Sequence, residues 1–281
     1  MLLRRKKVPF AHWGCEVRDF PLAADGLVQF AQWRHPRVSV QAITQDEIDG
    51  LRRFIRPGDF AIDVGAHTGD TTVPMGLAAG ASGCVLALEP NPYVFEVLQQ
   101  NAVLNLSRTR IQPQCLAATA TDGDFVFHYG DASYCNGGLS RGWFRNPLRR
   151  RYPLSVVGRN LFRLLLDEYS AWLPKLSYIK VDAEGYDRAI LQSILPVIRE
   201  RRPVIRTEVF RRLPASERYA LFDLLTTAGY EVFRYETGTN PQGEPIRRER
   251  MAAVKHFDLL AVPKEVRARS ASKGFQAAHE C

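Results

Sequence analysis

The stretch Asp59-Phe-Ala-Ile-Asp-Val-Gly-Ala-His-Thr-Gly-Asp70 constrains this chain more than any other. Phe60 to Val64 is a short apolar run of the kind that is buried on both faces of a parallel sheet. It runs into a turn bracketed by Gly65 and Gly69, and a helix is expected to open near Asp70 or Thr71. Glycine lets the backbone bend sharply and lets a ligand approach the free amides at the start of a helix. A strand, a glycine turn and a helix in that order predict an α/β fold with a nucleotide-like guest at the strand tips.

The dinucleotide fingerprint G-x-G-x-x-G would need glycine at 65, 67 and 70, where the chain has Gly65, His67 and Asp70. Asp63, at the strand end, would repel a pyrophosphate but could pair with an ammonium group. The pattern therefore favours a nucleotide that carries an amino acid, such as S-adenosylmethionine. Cys84-Val-Leu-Ala-Leu-Glu89 is a second apolar run ending in an acid, 26 residues after Asp63. An acid in that place commonly binds ribose hydroxyls.

Three ordered stretches carry a resemblance: Arg56 to Gly69, Leu88-Glu-Pro-Asn-Pro92 followed by Asn101 and Asn105, and Tyr178-Ile-Lys-Val-Asp-Ala-Glu-Gly-Tyr186 followed by Leu191. Together they resemble the FkbM-type S-adenosylmethionine-dependent methyltransferases over roughly residues 43 to 262, loosely between 125 and 165. The resemblance implies a class I methyltransferase fold, a Rossmann-like three-layer sandwich. Its sheet would be seven-stranded and mostly parallel, with the last strand antiparallel. It implies hydroxyl groups of sugars, glycans or natural products as methyl acceptors. It places the cofactor against Asp63, Gly65, Ala66, His67, Gly69, Glu89, Pro90 and Asn91, and an acid of the fifth strand at Glu208. Family members usually carry Asn where this chain has His67.

The rest of the chain is read around that centre. Val28–Trp33 and Arg37–Gln41 are expected to pair as a hairpin within residues 1–42, ahead of a methyltransferase domain over 43–263. Helices are expected at 45–55, 71–79, 92–104, 164–173, 187–199 and 214–228. Strands are expected at 111–117, 125–129, 177–182, 203–209, 230–235 and 257–262. Pro113 puts the first of these at a sheet edge. His128 reads as a packed or exposed strand histidine more readily than as a base. Residues 131–163, with Arg141, Arg145, Arg149, Arg150 and Arg151, read as an insert over the catalytic face; 264–281 read as a basic, poorly ordered tail.

Ligands of open parallel sheets sit outside the carboxyl ends of the strands, so Asp182 and Glu184 are the leading candidates for acceptor chemistry. Asp182 or Glu184 is expected to serve as general base, with His67 and His256 as weaker candidates. A variant has Asp182, Glu184 and Glu208 converge on a divalent cation, but the spacing alone assigns no metal site.

A formal charge of +8, from 38 Lys and Arg against 30 Asp and Glu, leaves room for an anionic acceptor. Two competing readings are a nucleic-acid methyltransferase and a non-catalytic binding module. Against the first, the place after the fourth strand reads Asp-Ala-Glu-Gly, not the Asp/Asn-Pro-Pro-aromatic turn of amino-group methyltransferases. Against the second, both carboxylate sets are kept. Five scattered cysteines without a C-x-x-C pair fit a reduced cytoplasmic setting, and the chain shows neither a signal-peptide core nor an apolar run of membrane-spanning length. Oligomeric state is left open.

Overall fold

The structure is a computed structural model and describes residues 11–129, 138–139 and 152–265. Its centre is an eight-stranded sheet. Two strands punctuated by glycine, β3 (Phe60–Val64) and β4 (Cys84–Leu88), lie at its heart. They pair in parallel from Phe60 opposite Cys84 to Val64 opposite Leu88. On one side follows β5 (Ile111–Gln114); on the other follow β10 (Leu176–Val181) and β11 (Val204–Val209), all parallel. The edge position of β5 suits Pro113, which cannot donate to a further ladder.

Beyond β11 the sheet turns antiparallel. The last strand, β14 (Phe257–Pro263), runs between β11 and β12 (Tyr230–Tyr235), antiparallel to both. A short β13 (Gln242–Pro245) then adds an outer strand against β12. The order β13-β12-β14-β11-β10-β3-β4-β5 corrects the expected seven strands to eight. β13 was illegible because Gln-Gly-Glu-Pro has no apolar face to bury.

Alternation along the strands explains the layers. Phe60, Ile62 and Val64 face one apolar cluster, with α4 (Leu161–Glu168), α5 (Asp187–Ser193), α6 (Leu195–Arg201) and α7 (Ala215–Thr227). Ala61 faces the other, with α1 (Gln45–Arg52), α2 (Thr72–Ala79) and α3 (Pro92–Leu104). Period two in the strand and helices on both faces give a Rossmann-like three-layer arrangement.

Several expectations are corrected. The amino-terminal hairpin pairs β1 (Cys15–Leu22) with β2 (Gly26–Trp33), and residues 37–41 are not a strand. The turn is at Gly26, in a left-handed conformation (φ 65°), and not at Arg34-His-Pro36. The expected single helix 187–199 is two, divided at Ile194, since Pro196 in the first turn of α6 cannot donate to the preceding turn. α4 begins at Leu161 and not Leu164, because the Asn160 side chain accepts from the Arg163 N–H at 3.0 Å and caps it. It ends at Glu168, with a turn of 3-10 helix at Leu173–Lys175.

The third strand stops at Gln114, and β6 (Ala117–Thr119) belongs instead to a second sheet. That sheet has the order β6-β9-β7-β8, with β7 (Gly123–Tyr129), β8 (Gly138–Leu139) and β9 (Tyr152–Asn160). Part of the expected insert is thus a strand. The arginines at 141, 145 and 149–151 lie outside the described residues, as does the tail from 266. Among the described residues no helix is long and apolar enough to cross a membrane.

Candidate active site

The tips of β3, β4 and β10 meet at a cleft of about 580 Å³, counting space open to solvent. Its polar rim is Gly65, Glu89, Asp182 and Glu184. Its apolar wall includes Leu88, Leu116 and Ile190, and Phe127 and Tyr129 of the second sheet close one side.

Gly65 could be nothing else. Its φ is +77°, and a Cβ there would stand 2.0 Å from the carbonyl oxygen of Asp182. The Gly65 and Ala66 N–H groups donate to Leu88 O at 2.9 and 3.0 Å, so the loop is pinned to the β4 tip. Gly69, at φ +95°, lies where a Cβ would be 3.0 Å from Leu98 of α3. The loop can pass that close to the helix only without a side chain.

Glu89 is buried, and its two oxygens accept from the backbone N–H groups of His67 (3.0 Å) and Asn91 (2.8 Å). Burial pushes its carboxyl up to about 7, although the His67 and Asn91 amides and Lys180 pull the other way. A carboxylate oxygen accepts more than one hydrogen bond, so each keeps acceptor capacity for a hydroxyl. Asn91 caps α3 by accepting from the Tyr93 N–H at 3.1 Å, and Pro92 fits the first helical position. His67 is left-handed (φ 52°), and its Nε2 is buried with no hydrogen-bond partner among the described residues. Burial lowers its pKa, with Asp70 opposing.

Asp63 departs from the expectation that it faces a ligand ammonium. It is fully buried, does not line the cleft, and accepts from Thr72 Oγ1 at 2.7 Å and from the Lys180 ammonium at 3.1 Å. Lys180 also donates to Gly65 O at 3.2 Å and lies 3.9 Å from Asp182. Burial alone would lower its pKa, but Asp63 and Asp182 outweigh that, the net shift is upward, and the lysine stays charged. The ammonium expected of a ligand is the protein's own, and it ties the β3 tip, the glycine turn and the β10 tip together. Sequence reasoning missed Lys180. The available signal was a lysine inside the apolar run Tyr-Ile-Lys-Val, tolerable in a buried strand only with an acid in register; Lys180 sits opposite Asp63.

The three acceptor-side acids do not behave alike. Asp182 and Glu184 line the cleft, and Glu184 is left-handed at φ 52°. Glu208 does not line it. It is 7% exposed, with Oε2 buried and unbonded among the described residues, and His256 Nδ1 lies 3.4 Å from Oε1. Burial first, and then the like charges of Asp182, Asp187, Glu184 and Asp258, push its carboxyl up to about 10. Glu208 is thus neutral at pH 7, a hydrogen-bond donor and not a base.

Asp187, which sequence reasoning missed, is buried under the β10 tip. It accepts from Gly185 N at 3.1 Å and from Thr207 Oγ1 at 3.3 Å. Burial, with repulsion from Asp182, pushes it up to about 7. Among the described residues no group of three His, Cys, Asp or Glu is arranged to hold a metal ion. His128 is half-buried on β7 and absent from the cleft wall.

The family described as "Methyltransferase FkbM domain" matches residues 63–232, more than half of the chain. The chain belongs to the FkbM methyltransferase family. The glycine turn, Glu89, Asp182, Glu184 and Glu208 all fall inside the match. The donor in this family is S-adenosylmethionine, and the residues present fit it: an acid at the β4 tip with free acceptor capacity, beside Gly65 and an apolar wall that line one cleft.

Comparison with curated protein sequences gives no match. Among solved structures, the chain is similar to the FkbM methyltransferase of Methylobacillus flagellatus, with 14% identity over 76% of this chain and 50% of that one, at a TM-score of 0.44. It thus spans half the length of that protein. It is also similar to an S-adenosylmethionine-dependent O-methyltransferase of Thermotoga maritima, with 13% identity over 92% and 85% of the two chains at a TM-score of 0.39. The TYW2 protein of P. horikoshii in complex with MeSAdo gives 13% identity over 89% and 70% at 0.41.

Proposed function

We propose that this chain transfers the methyl group of S-adenosylmethionine to a hydroxyl of a small-molecule or glycan acceptor, with residues 43–263 as the catalytic unit. The observation that carries the reading is the convergence on one cleft of Gly65 from the glycine turn, the amide-held carboxylate of Glu89 and the carboxylates of Asp182 and Glu184. Glu89 accepts the ribose hydroxyls, and the apolar wall with Phe127 and Tyr129 receives the base. Gly65, Ala66, His67, Gly69, Pro90 and Asn91 shape the rest of the donor side, with Asp63 acting from beneath through Lys180.

When bound, the sulfonium supplies an electrophilic methyl group open to in-line displacement. Asp182 would take the proton of the acceptor hydroxyl as that oxygen attacks, the thioether being the group displaced. Lys180, 3.9 Å away, ties the β10 tip that presents Asp182 to the glycine turn. Glu184 orients the acceptor, and Glu208 stands behind the cleft without lining it. Holding both reactants in line and away from water is the larger part of the catalysis.

The test is incubation with methyl-labelled S-adenosylmethionine and a panel of hydroxylated glycans and small molecules. The expected product carries label that resists mild alkali, as an ether does. Label in nucleic acid alone, or none in any fraction, would contradict the reading.

A further inference from the structure

The amino-terminal hairpin lies outside the segment matched by the family, yet it reaches the donor loop through Asn101 and a ring contact, and the linker after it is hydrogen-bonded to that loop. Asn101 of α3 reads both. Its Oδ1 accepts from the Ala31 N–H at 2.6 Å, and its Nδ2 donates to Ala31 O at 3.1 Å and to Thr68 O at 2.7 Å. One turn along α3, Asn105 repeats the pairing with the N–H and carbonyl of Gln29. Two carboxamides thus act as the neighbouring strand for β2 and fix its register against α3.

Two more contacts reach the loop itself. Thr68 Oγ1 donates to Gln41 Oε1 at 2.8 Å. Gln41 is anchored in turn to the hairpin, because its N–H donates to Gln32 Oε1 at 3.0 Å and its carbonyl accepts from Gln32 Nε2. The Trp33 ring, 4% exposed among Val94 and Val97, meets the His67 ring edge-on at 5.7 Å and 72°. These contacts bear on one strained place. His67 and Gly69 are both left-handed, and a non-glycine residue holds that conformation only when its surroundings enforce it. The His67 N–H so directed is the one that fixes Glu89.

We infer that Trp33 and Gln41 are positioning residues of the donor site: the hairpin segment holds the His67–Thr68 turn so that the His67 amide locks the Glu89 carboxylate. Neither side chain lines the cleft. The inference rests on the donor reading above, and it can fail while that reading stands.

The test is calorimetric titration of the full chain with S-adenosylhomocysteine, alongside thermal unfolding. Gln41→Ala removes only a side-chain acceptor and weakens binding about threefold to tenfold, the effect of one lost hydrogen bond. Gln41→Glu keeps an acceptor oxygen and recovers most of the affinity. Trp33→Leu keeps an apolar side chain against Val94 and Val97 and weakens binding about tenfold, whereas Trp33→Phe keeps a ring against His67 and restores it. Leu27→Ala, at an exposed position beside the hairpin turn, binds as the parent does.

Unchanged affinity in both Gln41→Ala and Trp33→Leu overturns the inference, as does equal weakening in Leu27→Ala. If Trp33→Leu does not fold, the Gln41 pair decides. No binding by the parent chain refutes the donor reading, and the inference with it.

Discussion

Gly65→Ala asks whether the β3 and β10 tips are as tightly opposed as the cleft requires. Two independent costs follow from the structure. The residue is at φ +77°, and a side chain in the left-handed region costs about 1–2 kcal/mol. The new Cβ would lie 2.0 Å from Asp182 O and 3.0 Å from its carbonyl carbon, which are backbone atoms with no rotamer to escape into. Forced repacking of that kind costs about 1–3 kcal/mol. Their sum is about 2–5 kcal/mol, which at about 2–4 °C per kcal/mol lowers the midpoint by about 4–20 °C. Relief must come from moving the β10 tip, which carries Asp182, so donor affinity falls together with stability. Thermal unfolding and calorimetry on the same preparation read both. A Gly65→Ala chain that melts within a degree of its parent and binds donor equally would refute the close approach of the two strand tips.

Other consequences follow from the charges. Lys180→Met strands Asp63 as a buried charge and should cost about 3–5 kcal/mol; the double variant with Asp63→Asn should recover much of that in a denaturation cycle. Glu208, neutral in the folded chain, has its carboxyl raised from an ordinary 4.5 to about 10, so its contribution to stability is full below 4.5 and is lost as pH climbs through 10. Glu208→Gln should therefore raise the melting midpoint at pH 8 and change it little at pH 5. Glu89 likewise favours the folded chain when protonated, fully below 4.5 and no longer above about 7, whereas ribose hydroxyls prefer its carboxylate. Donor binding should tighten as pH rises from 6 to 8, and Glu89→Gln should abolish that dependence. Asp182→Asn should lower kcat about 10²–10⁴-fold with donor affinity little changed, the signature of a lost general base.

The central strands were legible because each is an apolar run bounded by glycine, proline or an acid: Phe60–Val64 and Cys84–Leu88 appear in the structure with the expected limits. α3 was equally plain, since Asn91 and Pro92 announce its start. Elements that bury only one face were not. β1 mixes Glu16, Arg18 and Asp19 with an exposed Val17 and has no fully buried residue, so it was too weakly patterned to read, and the more apolar Val28–Trp33 was matched with the wrong neighbour. Tyr152–Asn160 was hidden in the same way beside an arginine-rich stretch.

In the site, residue types were legible and their partners were not. Glu89 and Asp182 face the cleft as their strand-end positions suggest. Asp63 and Glu208, also acids at strand ends, are buried, one under Lys180 and the other among like charges. Which way an acid at a tip points depends on register with the next strand, as for Lys180 opposite Asp63 and Glu208 opposite Asp258. Register is a long-range property that no local window carries.

In the proposed function Glu89 is the residue that grips the donor. Calorimetric titration with S-adenosylmethionine should give one site per chain for the parent. Glu89→Ala should bind at least about a hundredfold more weakly, since two hydrogen bonds to a charged group are lost at about 1.5–3 kcal/mol each. A parent chain that takes up no donor, or a Glu89→Ala chain that binds it as tightly, would contradict the account.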